Sequence, residues 1–194
     1  MTVPLPGGTF RFIALDVETS CGDSASICQI GLACVRADHS IQTWSTLIDP
    51  QMPFARFNIE LHGIGPATVR NAPTFADAWP DLLPLLARHP LVQHSRFDEL
   101  AIAAACRAHG LPRARLSWNN SVSIARAAWP ELKGNGGHGL GNLKTVLDLD
   151  FQHHDAEEDA RAAAQVVLRA EQHLADTPGK ASAVLAPFQL PLPL

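Results

Sequence analysis

The stretch at residues 10–18, FRFIALDVE, constrains the chain more than any other. Extended backbone sends successive side chains to opposite faces, so Phe12, Ala14, Asp16 and Glu18 share one face while Ile13, Leu15 and Val17 share the other. Asp16 and Glu18 therefore point the same way, about 6.6 Å apart along a strand. The rest of the run is apolar enough for a core strand. Two carboxylates at its end repel one another and lose hydration unless something cationic lies between them. On this stretch alone two readings stand open: a divalent metal held between the acids, or a strand whose end runs out into solvent.

The chain has room for such a core strand. Its 194 residues suit a single domain, and 46% hydrophobic against 18% charged residues is the balance of a globular protein. No apolar run approaches the length of a membrane span. The start, MTVPLPGG, lacks the basic residues and apolar core of a signal peptide, so a cytoplasmic protein is expected. Cys21, Cys28, Cys34 and Cys106 show no C-x-x-C spacing and read as free thiols. With a net charge of −4 and its basic residues scattered, the chain has no basic stripe for gripping long nucleic acid. A polyanionic partner has to be held locally.

Further strands are expected at 27–35 and 41–48, joined by the turn RADHS, which makes the first three strands antiparallel. A loop then runs to Pro66 through LHGIG. Thr74 reads as the N-cap of a helix with apolar spacing at Phe75, Ala78, Trp79, Leu82, Leu83 and Leu86, which Pro80 and Pro84 are expected to kink or split. Residues 91–94 form a short buried strand feeding a helix over 97–109 that stops at Gly110. A weaker strand is expected over 116–124, then a short helical piece to Trp129, a glycine-rich loop, and a helix over 140–149. The clearest helix follows Asp155, with Asp155 and Glu158 in capping-box positions. Three strands followed by alternating helix and strand predict an α/β domain, a mixed sheet flanked by helices, over about residues 8–176. Residues 177–194 carry four of the fifteen prolines and no period, and are expected to be a flexible tail.

A third carboxylate, Asp98, follows the strand at 91–94, and sites in open α/β sheets lie beyond strand C-termini. It serves equally as a charge in the first turn of its helix. A fourth, Asp159, lies below His154 at the start of the last helix, among acids that the helix macrodipole already favours. An imidazole there is a candidate base near neutral pH. Gly134, Gly136 and Gly139 spell G-x-G-x-x-G, but AAWPELK before them is no strand, so the dinucleotide reading is rejected. Four carboxylates from three elements, gathered by an α/β fold, suit hard divalent cations, which would let an acidic protein bind a phosphodiester.

These residues resemble the DEDDh group of 3′→5′ exonucleases, the family of the bacterial proofreading subunit and ribonuclease T. Asp16, Glu18 and Thr19 match D-x-E-T; Phe97 and Asp98 match the end of the second motif; His154, Ala156, Asp159 and Ala160 match H-x-A-x-x-D-A. The segment LHGIGPATVRNAPTF is similar to the family's H-G-I region. The resemblance implies a ribonuclease H-like, five-stranded mixed sheet. It implies two magnesium or manganese ions on Asp16, Glu18, Asp98 and Asp159, with His154 as general base. Thr19, Leu61 and His62 would contact the 3′-terminal nucleotide, and a nucleoside 5′-monophosphate would be released.

Two departures leave questions open. The second motif, His94-Ser95-Arg96-Phe97-Asp98, is one residue shorter than usual and lacks its Asn, so the role of His94 is undetermined. His153 also stands beside His154, and the five-residue step to Asp159 selects His154. The tail's Gln189, Leu192 and Leu194 resemble the peptides by which bacterial replication proteins dock on the sliding clamp; a merely Pro-rich end is the alternative. DNA proofreading or repair is the expected role. Trimming of RNA ends and a non-catalytic polymerase or clamp accessory are its rivals. A glycosidase built on Asp16 and Glu18 leaves Asp98 and Asp159 without a purpose.

Overall fold

The structure, a computed structural model, describes residues 4–175. The C-terminal stretch with Gln189, Leu192 and Leu194 lies outside the described residues. In chain order the elements are β1 (Phe12–Thr19), β2 (Ile27–Val35), β3 (Ile41–Leu47), α1 (Arg56–His62), α2 (Phe75–Leu86), β4 (Leu91–Gln93), α3 (Phe97–Ala108), β5 (Trp118–Asn120), α4 (Ser121–Ala128), α5 (Leu140–Val146) and α6 (Ala156–Ala175). A single 3₁₀ turn, Pro130–Leu132, lies between α4 and α5. None of these helices is long and apolar enough to cross a membrane.

The strands form one mixed sheet in the order β3-β2-β1-β4-β5. β1 pairs antiparallel with β2, and β2 antiparallel with β3; β4 lies parallel to β1, and β5 parallel to β4. The alternation in β1 decides what each face meets. Phe12 and Ala14, with Ala33 and Val35 of β2, pack in one core with residues of α4, α5 and α6. Ile13, Leu15 and Val17, with Ile30 and Leu32, pack on the opposite face with residues of α2 and α3. Burial on both faces is why the strand reads as a nearly continuous apolar run until Asp16.

Close packing of α6 on β2 depends on Gly31, which stands opposite Asp16 in the β1–β2 register. A Cβ on Gly31 would meet the Ala156 carbonyl oxygen at 2.0 Å. The absent side chain lets the first turn of α6 rest on the sheet beside the carboxylates of β1. Gln29 fastens the same junction, its Oε1 accepting from Ala156 N at 3.1 Å.

Four local expectations need correction. α2 is one helix despite Pro80 and Pro84. Both prolines are exposed and four residues apart on the solvent side, where carbonyls that lose a donor are hydrated, while Phe75, Trp79, Leu82, Leu85 and Leu86 hold the other face in the core. Thr74 and Asp77 also close a full capping box at its start. Where a loop was expected before LHGIG, α1 forms and ends at Gly63 with φ 76°. The expected strand over 116–124 shortens to three residues, because the Asn120 side chain accepts from Val122 N and caps α4. The capping box at Asp155 is half made: Asp155 accepts from the N–H groups of Glu157 and Glu158, but the Glu158 carboxylate pairs with Arg161. All four cysteines are free, as expected.

Candidate active site

Because β4 is parallel to β1, both strands end on the same side of the sheet. β1 ends with Asp16 and Glu18, and β4 leads through His94 and Ser95 into α3, whose first turn carries Asp98. Asp98 Oδ1 accepts from Val17 N at 3.1 Å, which ties the first turn of α3 to the residue between the two acids of β1. Asp159 enters from the first turn of α6 on the face that Gly31 leaves open. Ligand oxygens of Asp16, Glu18 and Asp159 lie within 4.8 Å of one another. All four acids line one cleft of about 400 Å³, together with Thr19, Leu61 and His154.

The electrostatics of this cluster follow from burial and repulsion. Burial, then the neighbouring charges of Asp98, Asp159 and Glu18, holds the Asp16 carboxyl well above its usual range. Glu18 is pushed up to about 8 by burial and by Asp159 and Asp98. Asp98 rises to about 7, burial outweighing the hydrogen bond from Val17 N. Asp159 is raised by burial, against donors from His154 and His153. Carboxylates so placed keep their charge at neutral pH only with a positive partner, and an all-oxygen donor set suits a hard divalent cation such as magnesium or manganese.

The two adjacent histidines do different things. His153 Nδ1 lies 2.9 and 3.0 Å from the two oxygens of Asp159, so it donates to that carboxylate. His154 gives Asp159 its backbone N–H at 2.9 Å and holds φ at 69°, an uncommon conformation for a side-chain-bearing residue. Its ring stacks on that of His153, with centroids 4.0 Å apart. The His154 ring nitrogens have no hydrogen-bond partner among the described residues, so they are open to the cleft. Burial, then the charge of His153, lowers the His154 pKa and keeps it neutral and basic at physiological pH.

His62 is engaged within the protein in this structure. It is not among the residues lining the cleft. Its Nδ1 accepts from Ile64 N at 3.0 Å, so Nε2 carries the proton toward the Thr19 carbonyl at 3.1 Å. The ring ties the end of α1 to the end of β1. His94 lies in the cleft wall, with Nε2 2.9 Å from the His138 carbonyl and Nδ1 2.7 Å from Ser121 Oγ. Burial pushes its pKa down to about 4, so it is a neutral strut rather than a base.

Asn58 and Leu140 also line the cleft and were not singled out in the sequence. Asn58 donates to the Thr19 carbonyl at 2.8 Å. The signal for its helix was Gly63, a left-handed stop directly after His62.

Comparison with known proteins agrees with this architecture. The RNase_T exonuclease family model matches residues 13–167. The DNA polymerase III PolC-type of Caldanaerobacter subterraneus subsp. tengcongensis is 26% identical over 163 residues, 82% of this chain but 11% of the polymerase. The chain thus spans about a tenth of the length of such curated relatives. Exonuclease X, solved in complex with 5′ overhanging duplex DNA, superposes with a TM-score of 0.67 at 22% identity, covering 89% of this chain and 98% of that one. The nuclease domain of 3′hExo, a DEDDh member bound to rAMP, gives 0.68 at 17% identity, over 88% and 93%. The family match runs from the second residue of β1 into α6, through every acid of the cleft, and the chain belongs to the RNase_T exonuclease family.

Proposed function

We propose that the protein hydrolyses the terminal phosphodiester at the 3′ end of DNA, releasing nucleoside 5′-monophosphates. The observation that carries this reading is the convergence of Asp16, Glu18, Asp98 and Asp159 with the open ring of His154 at one cleft. The four carboxylates fit a pair of magnesium or manganese ions, since their mutual repulsion and burial are relieved by such cations. The chemistry supplied by those ions, when bound, is stabilisation of charge on the attacking and leaving oxygens of phosphoryl transfer.

The chain's own residues then do the following. His154 accepts a proton from the attacking water, and His153 and the His154 N–H hold Asp159 in place beside it. Water oxygen bonds to phosphorus, the bond from phosphorus to the upstream O3′ breaks, and that oxygen takes a solvent proton as the new 3′ hydroxyl. Leu61 and Phe97, apolar yet 38% and 43% exposed at the cleft, offer surfaces for the terminal base. Thr19 lies beside them, and His62 supports the site by holding α1 to β1.

DNA is preferred as substrate because the matching curated relatives are DNA polymerases and a similar fold is solved with duplex DNA. The RNA reading has its own support in the rAMP-bound 3′hExo domain. Digestion of 3′- and 5′-labelled single-stranded DNA beside matched RNA, by wild type and Asp16→Ala, tests both. A ladder shortening from the 3′ end, lost in the variant and on chelation, is expected. Release of no mononucleotide from either polymer would overturn the enzyme reading and favour an accessory module. Clamp docking through Gln189, Leu192 and Leu194 is a separate proposal, refuted by equal clamp recovery with and without residues 189–194.

A further inference from the structure

Behind one wall of the catalytic cleft lies a second concavity, of about 430 Å³, lined by Arg126, Pro130, Lys133, Gly134, Gly137 and His138. No acid lines it. Arg126 and Lys133 are exposed, and neither side chain has an ion-pair or hydrogen-bond partner among the described residues. Arg126 stands in the last turn of α4, where its charge also suits the helix dipole, but Lys133 lies beyond that helix and has no such reason to be there.

The backbone of the same loop is arranged to present donors. Gly134, Gly136 and Gly137 have φ of 81°, 80° and 78°. Open space lies where a Cβ on Gly134 or Gly137 would stand, so the chain itself, rather than a side chain, faces the concavity. The N–H groups of Gly134 and His138 have no hydrogen-bond partner among the described residues. Unpaired amides and two unpaired cations in one loop are groups that a bound anion would satisfy.

This loop is tied to the catalytic cleft. The His138 carbonyl accepts from His94 Nε2 at 2.9 Å, and His138 Nε2 lies 2.8 Å from the Trp129 carbonyl. His94 and Leu140 both line the catalytic cleft. Residues 138–140 thus belong to both concavities, His138 lining the second and Leu140 the catalytic cleft.

We infer that the concavity is a subsite for a backbone phosphate of the nucleic acid whose end occupies the catalytic cleft; this rests on the nuclease reading above. It answers how a chain of net charge −4 holds a polyanion beyond the reacting nucleotide. The phosphate comes from the cleaved strand upstream of its end, or from the complementary strand of a duplex.

The test compares wild type with the Arg126→Ala/Lys133→Ala double variant on three substrates: the p-nitrophenyl ester of thymidine 5′-monophosphate, a single-stranded DNA oligonucleotide, and a duplex with a recessed 3′ end. The double variant should hydrolyse the small ester as wild type does. Its KM for the oligonucleotides should rise by about tenfold, the loss of one charged hydrogen bond, with kcat unchanged and a shallower salt dependence. A charge-conserving Arg126→Lys/Lys133→Arg variant should retain most of the affinity. A KM defect on both DNA substrates assigns the phosphate to the cleaved strand, and a defect on the duplex alone assigns it to the complement. Unchanged KM and salt dependence on both would overturn the subsite. If wild type hydrolyses none of the three, the nuclease reading fails by itself. Fluorescence anisotropy of the labelled oligonucleotide then decides the subsite, which equal binding by the double variant would refute.

Discussion

Asp16→Asn separates what the cleft carboxylates do for chemistry from what they do to the fold. The substitution removes one negative charge from a partly buried cluster in which burial and four neighbouring acids already raise the carboxyl pKa. Turnover with magnesium should fall by about 10³-fold or more, since several kcal/mol of transition-state stabilisation depend on this ligand. The metal-free variant should nonetheless melt higher than wild type at about pH 8, because a repulsive buried charge is gone. A variant that melts lower there would mean that the carboxylates are compensated inside the protein. The neighbouring histidines divide in the same way. His154→Ala should lose about 10²- to 10⁴-fold in kcat, as removal of a general base does. His153→Ala should lose less, since it only withdraws a donor from Asp159. A base works unprotonated, so wild-type activity rises with pH through the His154 pKa. Burial lowers that pKa, which puts the acidic limb of the kcat profile below the ordinary imidazole value of 6.5. A limb that stays in place in His154→Ala but disappears in His153→Ala would exchange the two roles.

At the scale of elements, the junction of α6 with the sheet matters more to the site than any helix's own stability. In Gly31→Ala the new Cβ would meet the Ala156 carbonyl oxygen at 2.0 Å, backbone against backbone with no flexible side chain to yield. The first turn of α6 has to move, and Asp159 and His154 move with it. A loss of about 1–3 kcal/mol is expected, with kcat reduced by about 10²-fold from misplacement alone. Thr74→Ala is the contrast: it opens the capping box of α2, away from the cleft, and should cost about 1 kcal/mol with kcat intact. Thermal melts and turnover of the two variants check this, and a Gly31→Ala enzyme with normal kcat would break the link between packing and site. The same contrast explains what was legible in the sequence. β1 could be read because a period of two in an apolar run has one physical cause, and the order of strands and helices followed from it. α1 could not, because its seven residues include none that is buried and so trace no apolar stripe. The prolines of α2 misled because their exposed side of the helix is set by tertiary packing. Within the site, Asp16 and Glu18 stood out from their strand, whereas Asn58 and Leu140 reach the cleft only through the path of α1 and the glycine loop. The motif offered His62 as a substrate contact, and could not show that Ile64 N and the Thr19 carbonyl engage both of its nitrogens.

For the whole molecule, the carboxylate cluster couples stability to both protons and metal. Glu18 is raised to about 8 and Asp98 to about 7, with Asp16 and Asp159 raised as well. A carboxyl whose pKa is higher folded than unfolded binds protons more tightly in the native state. Its contribution is therefore full below the unfolded value, about 4 for a carboxyl, and is lost as pH rises through the folded value. His94 acts with the opposite sign: held down at about 4, it withdraws stability as pH falls below its unfolded value. His62 and His154 are lowered too, but the four raised acids outnumber the three depressed imidazoles, so the metal-free protein should lose stability from about pH 5.5 to about pH 8.5. Magnesium binds the ionised carboxylates and displaces their protons, and anything that binds only the native state stabilises it. The gain in Tm on adding magnesium should thus be larger at about pH 8.5 than at about pH 5.5, and Asp16→Asn should shrink that difference. Melts with magnesium and with chelator across this range measure it directly. A chelated protein whose Tm climbs steadily with pH, or a magnesium gain equal at both ends, would show that these acids are neither raised by their surroundings nor the residues that hold the cation.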